Sequence, residues 1–210
     1  MYCPAKSSET DHNTLVGMMR RIGVATLVTP TPEGIHATQV PVLMREVEEG
    51  RLILAAHVAR ANPHWRAARE APSIAIFQGP HAYMSPAWYP TKQETGKVVP
   101  TWLYVSIHAH GRLKAVQDDV WLRQQVGDLV DVHEAGREQP WQVSDAPESY
   151  ITGMARGIVG LEFAVDRLEG VWKLNEEEND ADLRGTLRGL EAGAPAAQEL
   201  AKELLGRTRH

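Results

Sequence analysis

The sequence is poor in the features that mark secreted and membrane proteins. It contains one cysteine, Cys3, so no disulfide can form within the chain. No stretch approaches the roughly 18 apolar residues that a membrane-spanning helix needs. Residues 1–6 lack the basic start and the apolar stretch of a signal peptide. We therefore expect a cytoplasmic protein that has no contact with a membrane.

Positive charge and the common nucleotide-binding motifs are also scarce. The 22 Lys and Arg residues against 27 Asp and Glu residues give a net charge of −5. Because phosphate contacts dominate nucleic-acid affinity, this charge argues against direct DNA binding. The sequence contains neither G-x-G-x-x-G, nor a P-loop, nor G-x-S-x-G. The dinucleotide-binding, triphosphate-binding and serine-hydrolase classes therefore lose their support.

What is present is the composition of an ordinary globular protein. The 210 residues are 43% hydrophobic and 23% charged, which excludes disorder as the main state. A chain of this length can bury a full core without disulfides or metals. We expect one domain over residues 1–174 and a helical tail over 175–210. The tail is expected to pack on this domain, for which a barrel is predicted below, or on a partner subunit.

Apolar periodicity predicts more strands than helices. Strands are predicted at 24–29, 35–44, 51–57, 73–78, 81–85, 98–116 and 160–168, and helices at 11–21, 63–70, 121–133 and 145–156. A charged turn is predicted at 46–50, and Gly79 and Pro80 are expected to interrupt a strand. The strands are mostly adjacent and do not alternate with helices. This pattern predicts an α+β, mainly β fold: a closed or partly closed antiparallel barrel with peripheral helices.

One segment combines a strand end, an arginine and a helix start. Arg60 follows the strand at 51–57, and Asn62 precedes Pro63, a pair that favours the start of a helix. A helix N-terminus beside a guanidinium group can bind an anion such as a phosphate. An ordinary capped helix with a surface arginine is the alternative interpretation.

Two other segments allow more than one interpretation. His108 and His110 share one face of a strand and could hold a metal, but no third ligand is evident, and we predict no metal site. Residues 79–90 are dense in aromatic residues, proline and glycine. They could pack on a cofactor ring, on a partner subunit or over the barrel end.

Several motifs, taken together and in order, resemble the PaiB-type family of FMN-binding negative transcriptional regulators. These motifs are HVARANP at 57–63, FQGPHAY at 77–83, SP at 85–86, WY at 88–89, GKVVPTW at 96–102 and GVWKL at 170–174. The resemblance extends from the N-terminus to Leu174. It implies the FMN-binding split barrel, an antiparallel split β-barrel, in a homodimer with a small-molecule ligand, FMN, at the subunit interface.

The resemblance also implies which residues hold the flavin. A first group of residues would place main-chain groups along the edge of the isoalloxazine ring. A second group would hold the phosphate or line the ribityl chain. A third group would come from the partner subunit. The first group is Thr38, Gln39, Val40 and Pro41; the second is His57, Val58, Ala59, Arg60, Asn62, Phe77, Gln78 and Gly79; the third is Trp102, Tyr104, Trp172 and Lys173.

Three departures from the family pattern bear on the cofactor. Leu103 stands where the family typically has Asn, and the acidic run Glu176–Glu178 replaces a polar run. An apolar side chain removes hydrogen-bonding groups, and carboxylates repel a phosphate. His110 stands where Tyr is more usual, which leaves a haem-binding or haem-degrading barrel as one alternative. A flavin-dependent oxidoreductase of a small molecule is another, and a barrel without a cofactor is a third.

Overall fold

The computed structural model describes residues 1–47 and 51–208. The strands of this part of the chain are β1 (Ser8–Glu9), β2 (Val24–Thr31), β3 (Gly34–Pro41), β4 (Leu43–Val47), β5 (Arg51–Ala59), β6 (Arg69–Met84), β7 (Thr101–Val116) and β8 (Ile158–Lys173). Its α-helices are α1 (His12–Ile22), α2 (His64–Ala67), α3 (Thr91–Thr95), α4 (Asp119–Glu134), α5 (Glu148–Ala155), α6 (Asp180–Glu191) and α7 (Pro195–Thr208). Among these described residues, no helix is long and apolar enough to cross a membrane.

The described strands form one sheet in the order β3-β2-β6-β7-β8-β5-β4, and β1 pairs with β8. The pairs β2–β3, β2–β6, β4–β5 and β5–β8 are antiparallel. The path of paired strands ends at β3 and at β4, so within the described residues these two strands do not close the sheet by pairing. The predicted antiparallel barrel with peripheral helices is therefore confirmed in its open, split form.

The chain divides into two compact units. The terminal unit comprises Met1–Leu15, Gln78–Ile107 and Glu169–His210, and the central unit comprises Val16–Phe77 and His108–Leu168. The predicted boundary between residues 174 and 175 stays a prediction.

The core of the central unit follows from strand alternation. Successive side chains of a strand point to opposite faces, so every second residue of β2 is buried, including Ala25 and Leu27. Leu54 of β5 lies opposite Phe163 of β8 in the register, and both are almost fully buried. The alternation predicted around 160–168 is thereby confirmed at its central residues.

The core of the terminal unit combines strand residues with the two C-terminal helices. Leu103 and Ile107 of β7 are fully buried, as are Leu190 of α6 and Leu200 of α7. An added Cβ at Gly189 of α6 would lie 2.2 Å from the Trp88 ring, so glycine is needed for this close packing. The helices α6 and α7 of the tail therefore contribute to a core.

The predicted helix at 63–70 is wrong in length, because α2 ends at Ala67 after one turn. The chain then enters β6, and the Ala68 carbonyl accepts a hydrogen bond of 3.0 Å from Ala115 N of β7. Tertiary pairing with a neighbouring strand has overridden the local helix preference.

Two strand predictions need correction in how the chain is divided. The predicted strand at 35–44 is two strands, β3 and β4, separated at Val42, while the predicted strands at 73–78 and 81–85 are the single strand β6. At Gly79, an added Cβ would lie 3.0 Å from Val105 Cβ. This glycine therefore permits a close approach within a continuous strand and does not form a turn.

Two smaller predictions also differ from the structure. Glu46 and Val47 of the predicted charged turn belong to β4, and its remaining residues, 48–50, lie outside the described residues. The helix predicted at 145–156 begins only at Glu148, and Asp145 instead accepts a hydrogen bond from Gln142 N, 2.8 Å away, in the preceding turn. Asp118 does cap α4, since its carboxylate accepts from Trp121 N at 2.7 Å.

Candidate functional site

Two of the predicted flavin-binding segments meet in the central unit. Asn62 Nδ2 donates a hydrogen bond of 3.2 Å to Thr38 Oγ1 of β3. Asn62 Oδ1 accepts from the main-chain N–H of His64 at 2.9 Å, which fixes the turn before α2. The loop from Arg60 to Asn62 is therefore held beside β3, although 24 positions separate Asn62 from Thr38.

Arg60 is held in one orientation by its own chain. Its Nε donates to the Arg156 carbonyl at 2.8 Å, and its Nη2 donates to the Ile158 carbonyl at 3.0 Å. Its Nη1 donates to Gln117 Oε1 at 3.1 Å. A guanidinium group has five N–H donors, so these three bonds leave two for a ligand. The predicted helix dipole contributes little here, because α2 has only four residues.

A buried chain of hydrogen bonds continues from Thr38 into the unit. His64 Nδ1 lies 3.0 Å from Thr38 Oγ1, and His64 Nε2 lies 2.8 Å from Thr29 Oγ1. Thr29 Oγ1 lies 2.7 Å from Ser73 Oγ, which donates to the Ala71 carbonyl at 3.0 Å. His64 and Thr29 are fully buried.

The Ser73 end of this series of hydrogen bonds sets the direction of every bond in the series. Since Ser73 donates to a carbonyl, its oxygen accepts from Thr29, and Thr29 in turn accepts from His64. His64 therefore carries its proton on Nε2, and its Nδ1 accepts from the Thr38 hydroxyl. Thr38 is left as the acceptor for Asn62, so each polar group has a partner only while His64 is neutral.

Burial and the neighbouring imidazole of His36 lower the pKa of His64 below its ordinary value of 6.5. The ring centroids of the two histidines are 5.7 Å apart. The sequence pattern around His64 indicates only the start of a helix, the one predicted at 63–70. Nothing in the local sequence indicates that its partners lie on β2, β3 and β6.

The His64→Gln substitution is expected to reduce the acid sensitivity of the fold. The unfolded chain takes up a proton near pH 6.5, whereas the folded chain resists it, so stability is lost as the pH falls below that value. Glutamine can still donate to Thr29 but does not titrate. Urea unfolding at pH 7.5 and at pH 5 measures this: the variant should lose less stability than the wild type. Equal losses in the two proteins would show that His64 does not contribute to acid sensitivity.

The edge of β3 leaves main-chain groups available. Among the described strands, β3 pairs only with β2, so the N–H and C=O groups of its outer edge lack ladder partners. Gln39 and Pro41 are exposed, Thr38 is half-buried, and Val40 faces the core. This edge therefore offers the hydrogen-bonding groups expected for the isoalloxazine ring.

The other predicted residues of the central unit differ in exposure. Phe77 is fully buried and Val58 nearly so, which makes both core residues. Ala59 is exposed at the end of β5, and the half-buried His57 hydrogen-bonds through Nδ1 to Gln125 Oε1 at 2.9 Å. His108 and His110 share one face of β7, with ring centroids 6.3 Å apart.

Three of the predicted residues of the terminal unit lie in two contacting pairs, one around Lys173 and one around Trp102. Lys173 Nζ donates to Thr101 Oγ1 at 2.6 Å and lies 5.7 Å from the centre of the Tyr104 ring. Trp102 is 55% exposed and makes an edge contact with Tyr83, at 6.0 Å between ring centroids. Gln78 is exposed and Gly79 is half-buried.

Trp172 lies in the core of the terminal unit. Its side chain is fully buried, and its Nε1 donates to Glu203 Oε2 of α7 at 2.9 Å. The Arg207 guanidinium lies 5.1 Å from the centre of its ring. The indole face is thus already covered by the chain's own helix.

Leu103 has little bearing on a site formed by Trp102 and Tyr104. Side chains alternate along β7, so Leu103 points to the opposite face, where it is fully buried.

The acidic run Glu176–Glu178 is partly neutralised, because Glu177 forms an ion pair with Lys6 that lowers the pKa of its carboxyl group. Burial raises the pKa of the Glu178 carboxyl group above its ordinary value.

An open antiparallel sheet with a polar loop beside its edge strand is the architecture of a split barrel. The FAD- and haem-binding protein from Mycobacterium smegmatis has a similar fold, with a TM-score of 0.58 and 16% identity over 85% of this chain and 79% of that one. The family model described as "Putative FMN-binding domain" matches residues 1–167. The chain therefore belongs to this family of FMN-binding domains, which confirms the PaiB-type resemblance.

Curated relatives agree with this assignment. The protease synthase and sporulation protein PAI 2 of Bacillus subtilis is 25% identical over 204 residues, covering 96% of this chain and 95% of that protein. An uncharacterized protein of Emericella nidulans is 31% identical over 227 residues, covering 91% of this chain and 90% of that protein.

Proposed function

We propose that the protein is a cytoplasmic, FMN-binding homodimer of the PaiB type. The observation that carries the proposal is the Asn62–Thr38 hydrogen bond, which holds the Arg60–Asn62 loop beside the free edge of β3. A cationic group for a phosphate and main-chain groups for a flavin ring thus occur in one unit. The family match over residues 1–167 supports the choice of FMN.

The residues present fit a flavin mononucleotide. The two free N–H groups of Arg60 and the second N–H of Asn62 would bind the phosphate. Main-chain groups of Thr38–Pro41 would bind the polar edge of the ring. When bound, FMN supplies the capacity to accept and release electrons, and the protein supplies position and electrostatics.

The dimer is proposed because the terminal unit exposes an aromatic pair, Trp102 and Tyr83. Trp102 and Tyr83 are both about half exposed, and large exposed aromatic surfaces mark interaction sites more often than free surface. In the proposed dimer, Trp102, Tyr104 and Lys173 of the partner subunit would contact the flavin. Trp172 would support this surface from the core and would not touch the ring itself.

We propose that any regulation of transcription occurs through a bound small molecule or a protein partner. The net charge of −5 offers no general attraction to DNA. An absorption spectrum of the purified protein, with and without added FMN, separates this proposal from its alternatives. A flavin spectrum at one per subunit supports it, and a Soret band would replace it with the haem-binding alternative.

The Arg60→Ala substitution is expected to weaken FMN binding much more than riboflavin binding. Riboflavin lacks the phosphate, so only FMN loses a charge-assisted hydrogen bond, which corresponds to a loss of about tenfold or more. Fluorescence titration of both flavins measures the two dissociation constants, and thermal unfolding checks that the variant folds.

The matched control is Arg66→Ala, six positions after Arg60. It removes an exposed arginine that stacks on the neighbouring Trp65. It is expected to leave the affinity for both flavins unchanged. If Arg60→Ala weakens FMN and riboflavin equally, the phosphate does not bind at Arg60.

A further inference from the structure

The central unit contains an apolar cavity of about 200 Å³ whose lining shares only His57 with the predicted flavin set. It lies among β5, α4, α5 and the start of β8. Its lining residues are His57, Leu122, Arg123, Val126, Val143, Ile151, Met154, Ala155 and Ile158. Met154 is 57% exposed and the Arg123 side chain 41% exposed, so the cavity can be reached from the solvent.

His57 and Arg123 are the two polar side chains of this mainly apolar wall. His57 Nδ1 lies 2.9 Å from Oε1 of Gln125, which is fully buried on α4 and does not line the cavity. An amide oxygen can only accept, so Nδ1 donates and Nε2 of the neutral ring is left as an acceptor. The ring edge that carries Nε2 is the part not engaged with Gln125.

Arg123, the charged residue of the lining, is already paired. Its Nη2 lies 2.7 Å from Glu148 Oε1 and donates to Thr152 Oγ1 at 2.8 Å. Because this guanidinium is partly neutralised at the rim, the cavity does not select strongly for an anion. The remaining selectivity comes from apolar contact and from the single acceptor on His57.

We propose that this cavity is a binding site for a small neutral aromatic molecule that carries one O–H or N–H group, as a phenol does. The apolar walls bury the ring, and the donor group binds His57 Nε2. An apolar protein cavity of roughly 150 Å³ holds a benzene molecule, so about 200 Å³ accommodates one ring with a small substituent. The volume is too small for a second ring system such as a flavin.

The proposal does not depend on flavin binding. Of the lining residues, only His57 belongs to the predicted flavin set, and the helices that form most of the wall lie outside it. A protein whose regulation requires a small-molecule signal would have a site for that signal apart from its cofactor. The two proposals can therefore fail separately.

Calorimetric titration of the full-length protein with phenol and with toluene tests the site. The two probes have nearly the same shape, but only phenol can donate a hydrogen bond. We expect phenol to bind with a dissociation constant on the order of 1 mM and about fivefold more tightly than toluene, as one neutral hydrogen bond predicts. The proposal is overturned if phenol does not bind at about 10 mM, ten times the expected dissociation constant, or if both probes bind equally well.

Substitutions locate the binding within the chain. Ala155→Phe adds a ring to the cavity wall and is expected to abolish phenol binding, whereas Ser149→Phe, an exposed change on the same helix, is expected to preserve it. His57→Phe keeps a ring of similar size without the acceptor, so phenol should lose its advantage over toluene. Unchanged phenol binding by Ala155→Phe would place the probe elsewhere and reject the site.

The same variants are titrated with FMN to keep the two proposals apart. Ala155→Phe that still binds FMN or keeps the wild-type unfolding temperature is folded, so its loss of phenol binding is caused by the filled cavity. If Ala155→Phe does not fold, the ratio of the phenol and toluene affinities of His57→Phe tests the proposal instead.

Discussion

Gly111→Ala is expected to cause a large loss of folding stability. An added Cβ at Gly111 would lie 1.9 Å from the Ala164 carbonyl oxygen and 2.8 Å from Phe163 Cε1. The first of these contacts is with main chain, so no rotamer change relieves it, and the strands β7 and β8 would have to separate. We expect a loss of about 3 kcal/mol or more in the free energy of unfolding.

Urea unfolding followed by circular dichroism measures this loss. Gly127→Ala on α4 is the matched control, because an added Cβ there meets nothing within 4 Å. In a helix, alanine is more favourable than glycine by about 1 kcal/mol, so this control is expected to stabilise the protein. A soluble Gly111→Ala protein with wild-type stability would mean that β7 and β8 are further apart than described.

Trp172→Ala is expected to cause a loss of similar size, about 3–5 kcal/mol, as for other buried tryptophans truncated to alanine. The substitution leaves a cavity under α7, removes the donor to Glu203 and deprives Arg207 of its ring contact. Trp172→Phe should lose less, about 1–2 kcal/mol, because it keeps most of the volume and loses chiefly the hydrogen bond. Trp141, 43% exposed, gives the control, and Trp141→Ala should change stability by less than about 0.5 kcal/mol.

The Trp172 variants also separate a core role from a cofactor role. If Trp172 only supports the terminal unit, Trp172→Phe should lower stability while the FMN dissociation constant stays within about twofold of wild type, well below the effect of one lost hydrogen bond. A large loss of FMN affinity with unchanged stability would instead place the indole against the flavin, as the family resemblance implied.

Local periodicity predicted those elements whose burial follows from their own residues. In β7, Leu103, Val105 and Ile107 alternate with polar or amphipathic neighbours, and the structure buries the expected face. The start of α4 is also determined locally, because Asp118 caps it through a bond to a residue three positions later. Neither feature needs information from a distant part of the chain.

Predictions failed where a residue's role depends on a distant neighbour. Gly79 can form a turn or permit a close approach, and only the position of Val105 decides for the second. The helix after Asn62 ended early because Ala68 bonds to Ala115. In each case, the local sequence permitted two conformations of similar energy, and a tertiary contact selected one.

Sequence patterns were enough to predict the family, the mainly antiparallel fold and the candidate phosphate residues Arg60 and Asn62. Three features became evident only in the folded chain: Asn62 bonds to Thr38, His64 is the neutral centre of a buried hydrogen-bond chain, and α7 covers Trp172. The difference lies in the range of the interactions. Strand alternation and helix caps act within a few residues, whereas buried polar groups must find their partners wherever the fold brings them.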